Sequence, residues 1–262
     1  MIDSPFTFIQ GSSPLLISMP HVGTRLTPEV ESSLVESAKA VPDTDWHLPI
    51  LYAFAKEMGA SLLIANYSRY VIDLNRSDDD QPLYVGATTG LFPSIFFDGT
   101  PLFQEGKAPT QAVRQTYIEQ IWRPYHQTIQ SELARIKHEY GHAMLFDAHS
   151  IRGEIPFLFD GRLPDLNLGT FNGQSCAPAL AQQLISMCEA SDYSAVLNGR
   201  FKGGFITRQY GQPDRNVHAV QLEMAQAIYM EEQLPFAYDE MKAAKLQPLL
   251  QQLLTAIQQF KP

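Results

Sequence analysis

The chain has 262 residues, of which 45% are hydrophobic and 18% are charged; this composition supports a sizeable core and excludes a disordered chain. A formal net charge of −9, without a run of lysines and arginines, argues against nucleic acid and anionic membranes as partners. No apolar run approaches the ~18 residues that a membrane-spanning helix requires.

The N-terminal segment shows no targeting signal. It reads MIDSPFTFIQGSSPLLISMPH, with Asp3 near its start and no basic region before its apolar residues, so it does not resemble a signal peptide. The two cysteines, Cys176 and Cys188, are expected to be reduced core residues rather than a disulfide. These features favour a cytoplasmic location and leave the oligomeric state open.

Short apolar runs alternate with longer amphipathic ones along the chain, which predicts an α/β fold. The predicted strands are Leu15–Met19, Leu62–Ala65, Tyr70–Leu74, Ala143–Asp147 and Val217–Met224. The predicted helices are Pro49–Met58, 112–139 with a kink at Pro124, Pro178–Ala190 and Glu240–Phe260. Two long stretches are predicted as loops that form walls or lids, Ser77–Lys107 and Ile151–Gly173. No repeat or linker divides the chain, so we expect one domain, 1–262.

Two of the seven histidines follow predicted strands. His21 comes after LLISMP, and His149 comes after AMLFDA. Ligands gather at the carboxyl ends of strands in open α/β sheets, and neutral imidazole is a common nitrogen donor to metal ions. The pattern predicts that both histidines bind one divalent metal ion, Zn²⁺ first and Co²⁺ as an alternative.

A third ligand is expected, because a catalytic zinc takes three protein ligands and leaves one position for water. The acidic residues of the following segment are Glu29, Glu31, Asp43 and Asp45. Asp43 also suits a helix N-cap. We therefore predict Asp45 as the third ligand, with His47 as the competing candidate.

Glu223 lies near the end of the predicted strand VHAVQLEM, between Leu222 and Met224. A carboxylate in such a place is costly to bury unless it is paired or used. Near a metal it is suited to act as a general base. The alternative is a buried salt bridge with an arginine.

Four residues are candidates for binding a substrate carboxylate, because arginine offers a rigid fork that matches a carboxylate and asparagine adds a donor. Asn75 and Arg76 end the segment SRYVIDLNR and are preferred, since they close a predicted strand. Arg152 and Arg208 are further candidates. Each arginine alone is also consistent with a surface or salt-bridging role.

The segment His138–His142 matches the HExxH pattern of zincin metalloproteases. That pattern requires both histidines on one continuing helix, and Gly141 indicates that the helix ends between them. We therefore expect no metal there.

The stretches that carry a family resemblance extend over nearly the whole chain. They are SMPHVGTRLTP, PDTDWHLP, SRYVIDLNR, GATTGLFP, LFDAHSIR, FDGRLPDLNLGTFNG, NGRFKGGFITRQYG and HAVQLEMAQ. Together they resemble the N-formylglutamate amidohydrolase (deformylase) family, related in fold to the zinc carboxypeptidases and to succinylglutamate desuccinylase. The resemblance implies a mixed, mostly parallel sheet with helices on both faces and a metal at the strand ends.

The resemblance also implies roles for individual residues. His21 and His149 correspond to the zinc histidines, Glu223 to the general base, and Arg69 to a donor that stabilises the oxyanion. Asn75 and Arg76 correspond to a pair that binds a terminal carboxylate, and Arg152 or Arg208 would bind the second. This chain has Thr24 where the carboxypeptidases have a ligating carboxylate, so Asp45 is the expected replacement.

The implied activity is hydrolysis of N-formyl-L-glutamate, a small dicarboxylate, to formate and L-glutamate as the last step of histidine degradation. Two alternatives remain: another zinc-dependent N-acyl amino acid amidohydrolase or carboxypeptidase-like hydrolase, and a non-catalytic module that binds dicarboxylates.

Overall fold

The structure, a computed structural model, describes residues 2–81 and 89–262, which form a seven-stranded sheet with the order β1-β3-β2-β4-β7-β5-β6. The strands are β1 Phe6–Ile9, β2 Leu15–Met19, β3 Ser61–Ala65, β4 Ala143–Ile151, β5 Leu166–Gly169, β6 Ala195–Leu197 and β7 Val217–Ala225. The four central strands β3, β2, β4 and β7 are parallel. β1 is antiparallel to β3, β5 is antiparallel to β7, and β6 is parallel to β5. The prediction of a mixed, mostly parallel sheet is confirmed.

Helices connect and cover the strands. They are α1 Pro28–Ser33, α2 Leu48–Leu51, α3 Gln111–Tyr117, α4 Arg123–Tyr140, α5 Pro178–Glu189, α6 Phe205–Tyr210 and α7 Glu240–Gln259. Short 3-10 turns occupy Glu36–Ala40, Ala53–Lys56, Pro213–Arg215 and Gln226–Ile228. Within the described ranges, no helix combines the length and apolar character needed to cross a bilayer.

Alternation along the central strands produces a hydrophobic core on each face of the sheet. Leu15 and Ile17 of β2 pack in one core, with α2, α5 and α7, whereas Leu16 packs in the other, with α1, α3 and α4. β4 alternates in the same way, with Phe146 in the first core and Leu145 in the second. The predicted helices on both faces are therefore confirmed.

The predicted strand Tyr70–Leu74 is wrong. The segment forms consecutive turns instead, in which the Val71 N–H donates to Ser68 O and the Asn75 N–H donates to the Asp73 carboxylate. Its apolar side chains are buried in the second core, which explains why it resembles a buried strand. The apolar pattern of this segment therefore reflects the burial of its side chains and not a strand conformation of its backbone.

The helix predicted at Pro49–Met58 is replaced by α2 and the 3-10 turn Ala53–Lys56. Tyr52 leaves the helical region with φ −96° and ψ 15°, and its buried ring packs edge-on against Phe146. The tertiary packing of the Tyr52 ring therefore outweighs the local preference of this segment to continue as a helix. The run of helical turns still ends at Gly59, which has φ +73°.

The long helix predicted over 112–139 extends from Gln111 to Tyr140. Ile118–Trp122 adopts a π-helical turn that is separated by Arg123 from Pro124, the residue at which the sequence predicts a kink. The helix ends at Gly141 in the left-handed conformation, φ +79°, as predicted.

Three strands were not predicted. β1 and β6 are short strands at the two edges of the sheet, and β5 lies inside the predicted loop Ile151–Gly173. Such short strands give little periodic signal. The other predicted loop, Ser77–Lys107, has no helix or named strand among its described residues, and 82–88 lie outside them.

Candidate metal centre and active site

The carboxyl ends of β2 and β4 bring His21 and His149 together. These strands are adjacent and parallel, with Ser18 opposite Asp147, so residues just beyond this pair share one edge of the sheet. The two imidazole rings lie 4.9 Å apart between centroids, and both residues are buried.

Asp45 completes the cluster from the loop before α2. Its Oδ2 atom lies 3.1 Å from His149 Nδ1 and 3.8 Å from His21 Nδ1. The Ser150 N–H donates to the same oxygen, and the Asp45 N–H donates to His21 O, so the carboxylate is held in place. One ligand atom from each of the three residues lies within 4.8 Å of the others. The structure brings the three predicted ligands together, and their binding of a metal stays a prediction.

The far nitrogens of both histidines contact buried carboxylates that the sequence reasoning missed. His21 Nε2 donates to Asp73 Oδ1 over 2.7 Å, and His149 Nε2 lies 2.9 Å from Asp147 Oδ2. Such carboxylate–histidine pairs orient metal ligands and leave the other nitrogen unprotonated. One available signal was the spacing of Asp147 and His149, which places both on the same face of β4.

The donor set fits a divalent cation. A catalytic zinc site typically has three protein ligands, such as two imidazole nitrogens and a carboxylate oxygen, and an open fourth position. Burial, followed by the charge of Arg69, lowers the pKa of His21 and favours the neutral form that a metal requires. Burial lowers the pKa of His149 too, but the carboxylates of Asp147 and Asp45 outweigh it and raise that pKa well above its usual value. A bound cation would occupy the place that the proton takes there.

Glu223 lies beside the cluster on β7, directly opposite His149 in the β4–β7 register. The carboxylate is buried and lines the same cavity as the three predicted ligands. Burial raises the pKa of Glu223, the charge of Asp45 raises it further, and His149 and Arg69 lower it. A carboxylate that holds a proton more readily than usual is suited to accept one from water and return it.

Arg69 places a buried guanidinium next to the cluster. Its Nη2 donates to Asp73 Oδ2 over 2.6 Å, and its Nη1 lies 3.4 Å from His21 Nδ1. The guanidinium also stacks 4.7 Å from the centre of the Phe97 ring. Asp73 therefore orients both a predicted metal ligand and the predicted oxyanion donor.

Asn75 and Arg76 both line the cavity, but the Asn75 amide is occupied within the protein. Asn75 Nδ2 lies 3.0 Å from His149 Nε2, and Asn75 Oδ1 accepts from the Ile206 N–H at the start of α6. A Cβ on Gly204 would come within 2.3 Å of Nδ2, so this contact requires glycine there. Arg76 donates from Nε to Thr89 O and from Nη1 to Asn75 O.

The other two predicted carboxylate-binding arginines lie outside the cavity lining. Arg152 Nη2 is paired with Asp43 Oδ1 over 3.0 Å. Arg208 donates from Nε to Gly203 O and stacks 4.8 Å from the centre of the Phe171 ring. Neither is brought to the site, and their role in substrate binding is untested.

Asp43 is not a helix cap, in contrast to the sequence interpretation. Its carboxylate accepts hydrogen bonds from the Tyr70 hydroxyl and the Phe97 N–H in addition to the Arg152 pair. The N-cap of α2 is His47, whose backbone adopts φ +62°. The Asp43 carboxylate is therefore stabilised by these three partners and not by the N-terminus of a helix.

The competing metal candidates lie away from the cluster. His47 Nε2 donates to Phe236 O over 2.6 Å, and Glu29 and Glu31 are exposed on α1. His138 is exposed near the end of α4, and His142 lies beyond it with Nδ1 3.1 Å from Tyr140 O. Among the described residues, His21, Asp45 and His149 are the group of three whose ligand atoms converge.

The cavity over the cluster has a volume of about 720 Å³, part of it open to solvent. Its lining adds residues that the site prediction did not include, among them Phe97, Ile151, Leu158, Arg200, Phe201 and Gln221. Arg200 is the charged residue among them. It stands in the stretch NGRFKGG, one of those that carry the family resemblance, which was the available signal.

Comparison with known proteins gives three findings. The family profile described as N-formylglutamate amidohydrolase matches residues 13–230. Two curated proteins named N-formylglutamate deformylase are similar over 257 residues: that of Pseudomonas putida at 60% identity, covering 98% of this chain and 96% of its own length, and that of Pseudomonas aeruginosa at 59%, covering 98% and 97%. The crystal structure of N-formylglutamate amidohydrolase from Ralstonia eutropha JMP134 has a TM-score of 0.83 at 24% identity, covering 97% of this chain and 98% of that one, which shows the shared fold.

Proposed function

The chain belongs to the N-formylglutamate amidohydrolase family and is an amidohydrolase, and from this premise we propose that it hydrolyses N-formyl-L-glutamate to formate and L-glutamate in a metal-dependent reaction. The observation that supports metal dependence is the His21–Asp45–His149 cluster, with Glu223 on the neighbouring strand. The substrate is supported by the names of the two Pseudomonas relatives.

His21, Asp45 and His149 would hold the metal, with Zn²⁺ first and Co²⁺ as the alternative. When bound, such an ion supplies Lewis acidity, which lowers the pKa of a water molecule and polarises a carbonyl group. Asp73 and Asp147 would keep the ligating imidazoles in the required orientation.

Glu223 would move the proton. Its carboxylate accepts a proton from the water that attacks the formyl carbon, and it delivers that proton to the departing amino nitrogen. Hydrolysis of the amide then leaves formate and the free amine. Arg69 lies close enough to His21 to donate to the oxygen that becomes negative during attack.

Most of the binding free energy for so small an acyl group must come from the glutamyl part of the substrate. Arg76 lines the cavity, and its guanidinium would bind the α-carboxylate. We also propose that the reaction is the last step of a histidine-degradation route and that it occurs in the cytoplasm.

The test is formate release from N-formyl-L-glutamate by protein stripped of metal, before and after addition of Zn²⁺ or Co²⁺. Activity that returns only with metal is the expected result. Undiminished activity of the stripped protein would rule out metal dependence. The metal-loaded, folded protein could instead release no formate from N-formyl-L-glutamate and hydrolyse N-acetyl- or N-succinyl-L-glutamate. That result would replace the proposed activity with the alternative, another N-acyl amino acid amidohydrolase.

A further inference from the structure

The three arginines in the cavity lining differ in the hydrogen bonds and ion pairs that their guanidinium groups make within the protein. Arg69 is paired with Asp73, and Arg76 donates to two backbone carbonyls. Arg200 is exposed at the lining, and within 2–81 and 89–262 its guanidinium makes no hydrogen bond or ion pair. Arg200 is therefore the lining arginine whose guanidinium donors are all available to a ligand.

Arg200 is carried by a loop whose two ends are fixed, residues 198–204. At one end the Asn198 N–H donates to Leu168 O, and Asn198 Oδ1 accepts from the Thr170 N–H over 2.8 Å. At the other end the Gly204 N–H donates to Gln221 Oε1 over 2.6 Å. Gly203 adopts φ +111°, which favours glycine. Because these anchors tie the loop to β5 and β7, the backbone position of Arg200 beside the cavity is set before any ligand binds.

The wall beside Arg200 is apolar. It comprises Phe97, Ile151, Leu158 and Phe201, and the first two belong to a small hydrophobic cluster between this loop and the segment after β4. The carboxylates among the described lining residues are Asp45 and Glu223, both at the metal cluster. This part of the cavity therefore suits a short hydrocarbon stem that ends in an anion.

We propose that Arg200 binds the side-chain carboxylate of the N-formyl amino acid and so selects substrates with an acidic side chain. The inference rests on the proposed function, because it places the formyl group at Glu223 and the α-carboxylate at Arg76. A guanidinium binds a carboxylate through two parallel hydrogen bonds, which gives direction as well as charge. Arg200 takes the role that the sequence had offered to Arg152 and Arg208, both of which lie outside this cavity.

The experiment compares the metal-loaded wild type with Arg200→Met on N-formyl-L-glutamate and N-formyl-L-glutamine, which have the same length but differ in side-chain charge. Lys202→Met is the matched control, since Lys202 is an exposed cation of the same loop outside the cavity lining. Arg200→Met should lower kcat/KM for formylglutamate about 10- to 100-fold, mainly through KM, and change that for formylglutamine less than about 3-fold. Lys202→Met should leave both unchanged, and Arg200→Lys should recover part of the loss.

Equal losses on both substrates would overturn the inference, because Arg200 would then act on the whole reaction and not on side-chain charge. Unchanged kinetics in Arg200→Met, with an active wild type, would overturn it while the proposed function stands. A wild type that releases no formate from formylglutamate with any metal would instead refute the proposed function. Circular dichroism of each variant confirms that the fold is retained.

Discussion

Glu223 and His149 occupy the same register position on neighbouring parallel strands, so their side chains leave the same face of the sheet. Two residues earlier, Gln221 and Asp147 form the equivalent pair. On this face the early residues of β4 and β7 are apolar and the late ones are polar: Leu145 and Ala219 pack in the core. Of these polar residues, His149, Gln221 and Glu223 line the cavity, whereas Asp147 is buried behind His149.

This arrangement predicts the effect of replacing Glu223 with Gln. The amide keeps the shape but cannot accept the proton of water, so kcat should fall about 10²- to 10⁴-fold. Metal content, measured by atomic spectroscopy after dialysis, should stay the same. The measurement is steady-state formate release.

Glu139→Gln is the matched control, because Glu139 would be the general base if the HExxH pattern were functional. Glu139 is exposed and paired with Arg135, so its variant should keep wild-type activity. A loss of activity in Glu139→Gln together with normal turnover in Glu223→Gln would reverse the assignment of the base.

His21, His149 and Glu223 can be named as candidates from the sequence because each follows or ends a recognisable apolar strand, whereas Asp45 lies in the loop before α2 and is predicted as the acidic residue that completes the set. Asp73 cannot be found in this way, since its role depends on a contact with His21 that only the folded chain creates. Asp147 was missed although its two-residue spacing from His149 places both on one face of β4. Arg200 was missed for a different reason. The short strand before it, β6, gives no periodic signal that would place it at the cavity.

At the scale of elements, the turns over 68–76 carry three cavity residues and are held in place by α4. His126 of α4 donates from Nε2 to Leu74 O over 2.9 Å, and its Nδ1 accepts from the Tyr210 hydroxyl of α6 over 2.8 Å. Trp122 adds a hydrogen bond from its indole N–H to Arg76 O. The periodicity of the sequence predicts α4. It does not predict which segment α4 holds in place, because that depends on hydrogen bonds made by the His126 ring.

The buried His126 predicts a pH dependence of stability. Burial lowers the pKa of His126 to about 3, so the folded protein holds it neutral while the unfolded chain protonates it below about pH 6.5. The unfolded state therefore binds more protons between these values, and the free energy of unfolding should fall as pH falls, by up to about 1.4 kcal/mol per pH unit. Above pH 6.5 this contribution is fully present.

Urea unfolding of wild type and His126→Asn at pH 7 and pH 5 measures the effect. The variant should be less stable at pH 7, because a buried hydrogen-bonded group is lost, yet it should lose less stability on acidification. An identical pH slope for both proteins would show that His126 does not control it.

At the scale of the whole molecule, one sheet separates two hydrophobic cores, and its central strands contribute to both. Neighbouring residues of β2 and β4 point into opposite cores, so neither core can be disrupted without disturbing the shared strands. The net charge of −9 sets the background against which the cavity collects three arginines. The sequence indicates this layered architecture through its alternating patterns, but it does not reveal the short strands β1, β5 and β6, which run antiparallel to the four central strands.

The shared sheet predicts that damage to one core unfolds both. Leu250 of α7 is fully buried in the first core, and its replacement by Ala should lower the free energy of unfolding by about 2–5 kcal/mol in a single transition. Met241 of the same helix is 74% exposed, and Met241→Ala should change stability by less than about 0.5 kcal/mol. Fluorescence and circular dichroism should give coincident transitions. Separate transitions would show that the cores unfold independently.

The position of β4 between β2 and β7 also has a consequence for biosynthesis. His21 leaves the ribosome before His149, and Glu223 follows last. Until β7 pairs with β4, the nascent polypeptide lacks the wall that carries Glu223. We therefore expect the growing chain to lack catalytic activity until β7 has been translated and paired, although the three predicted metal ligands all precede that strand.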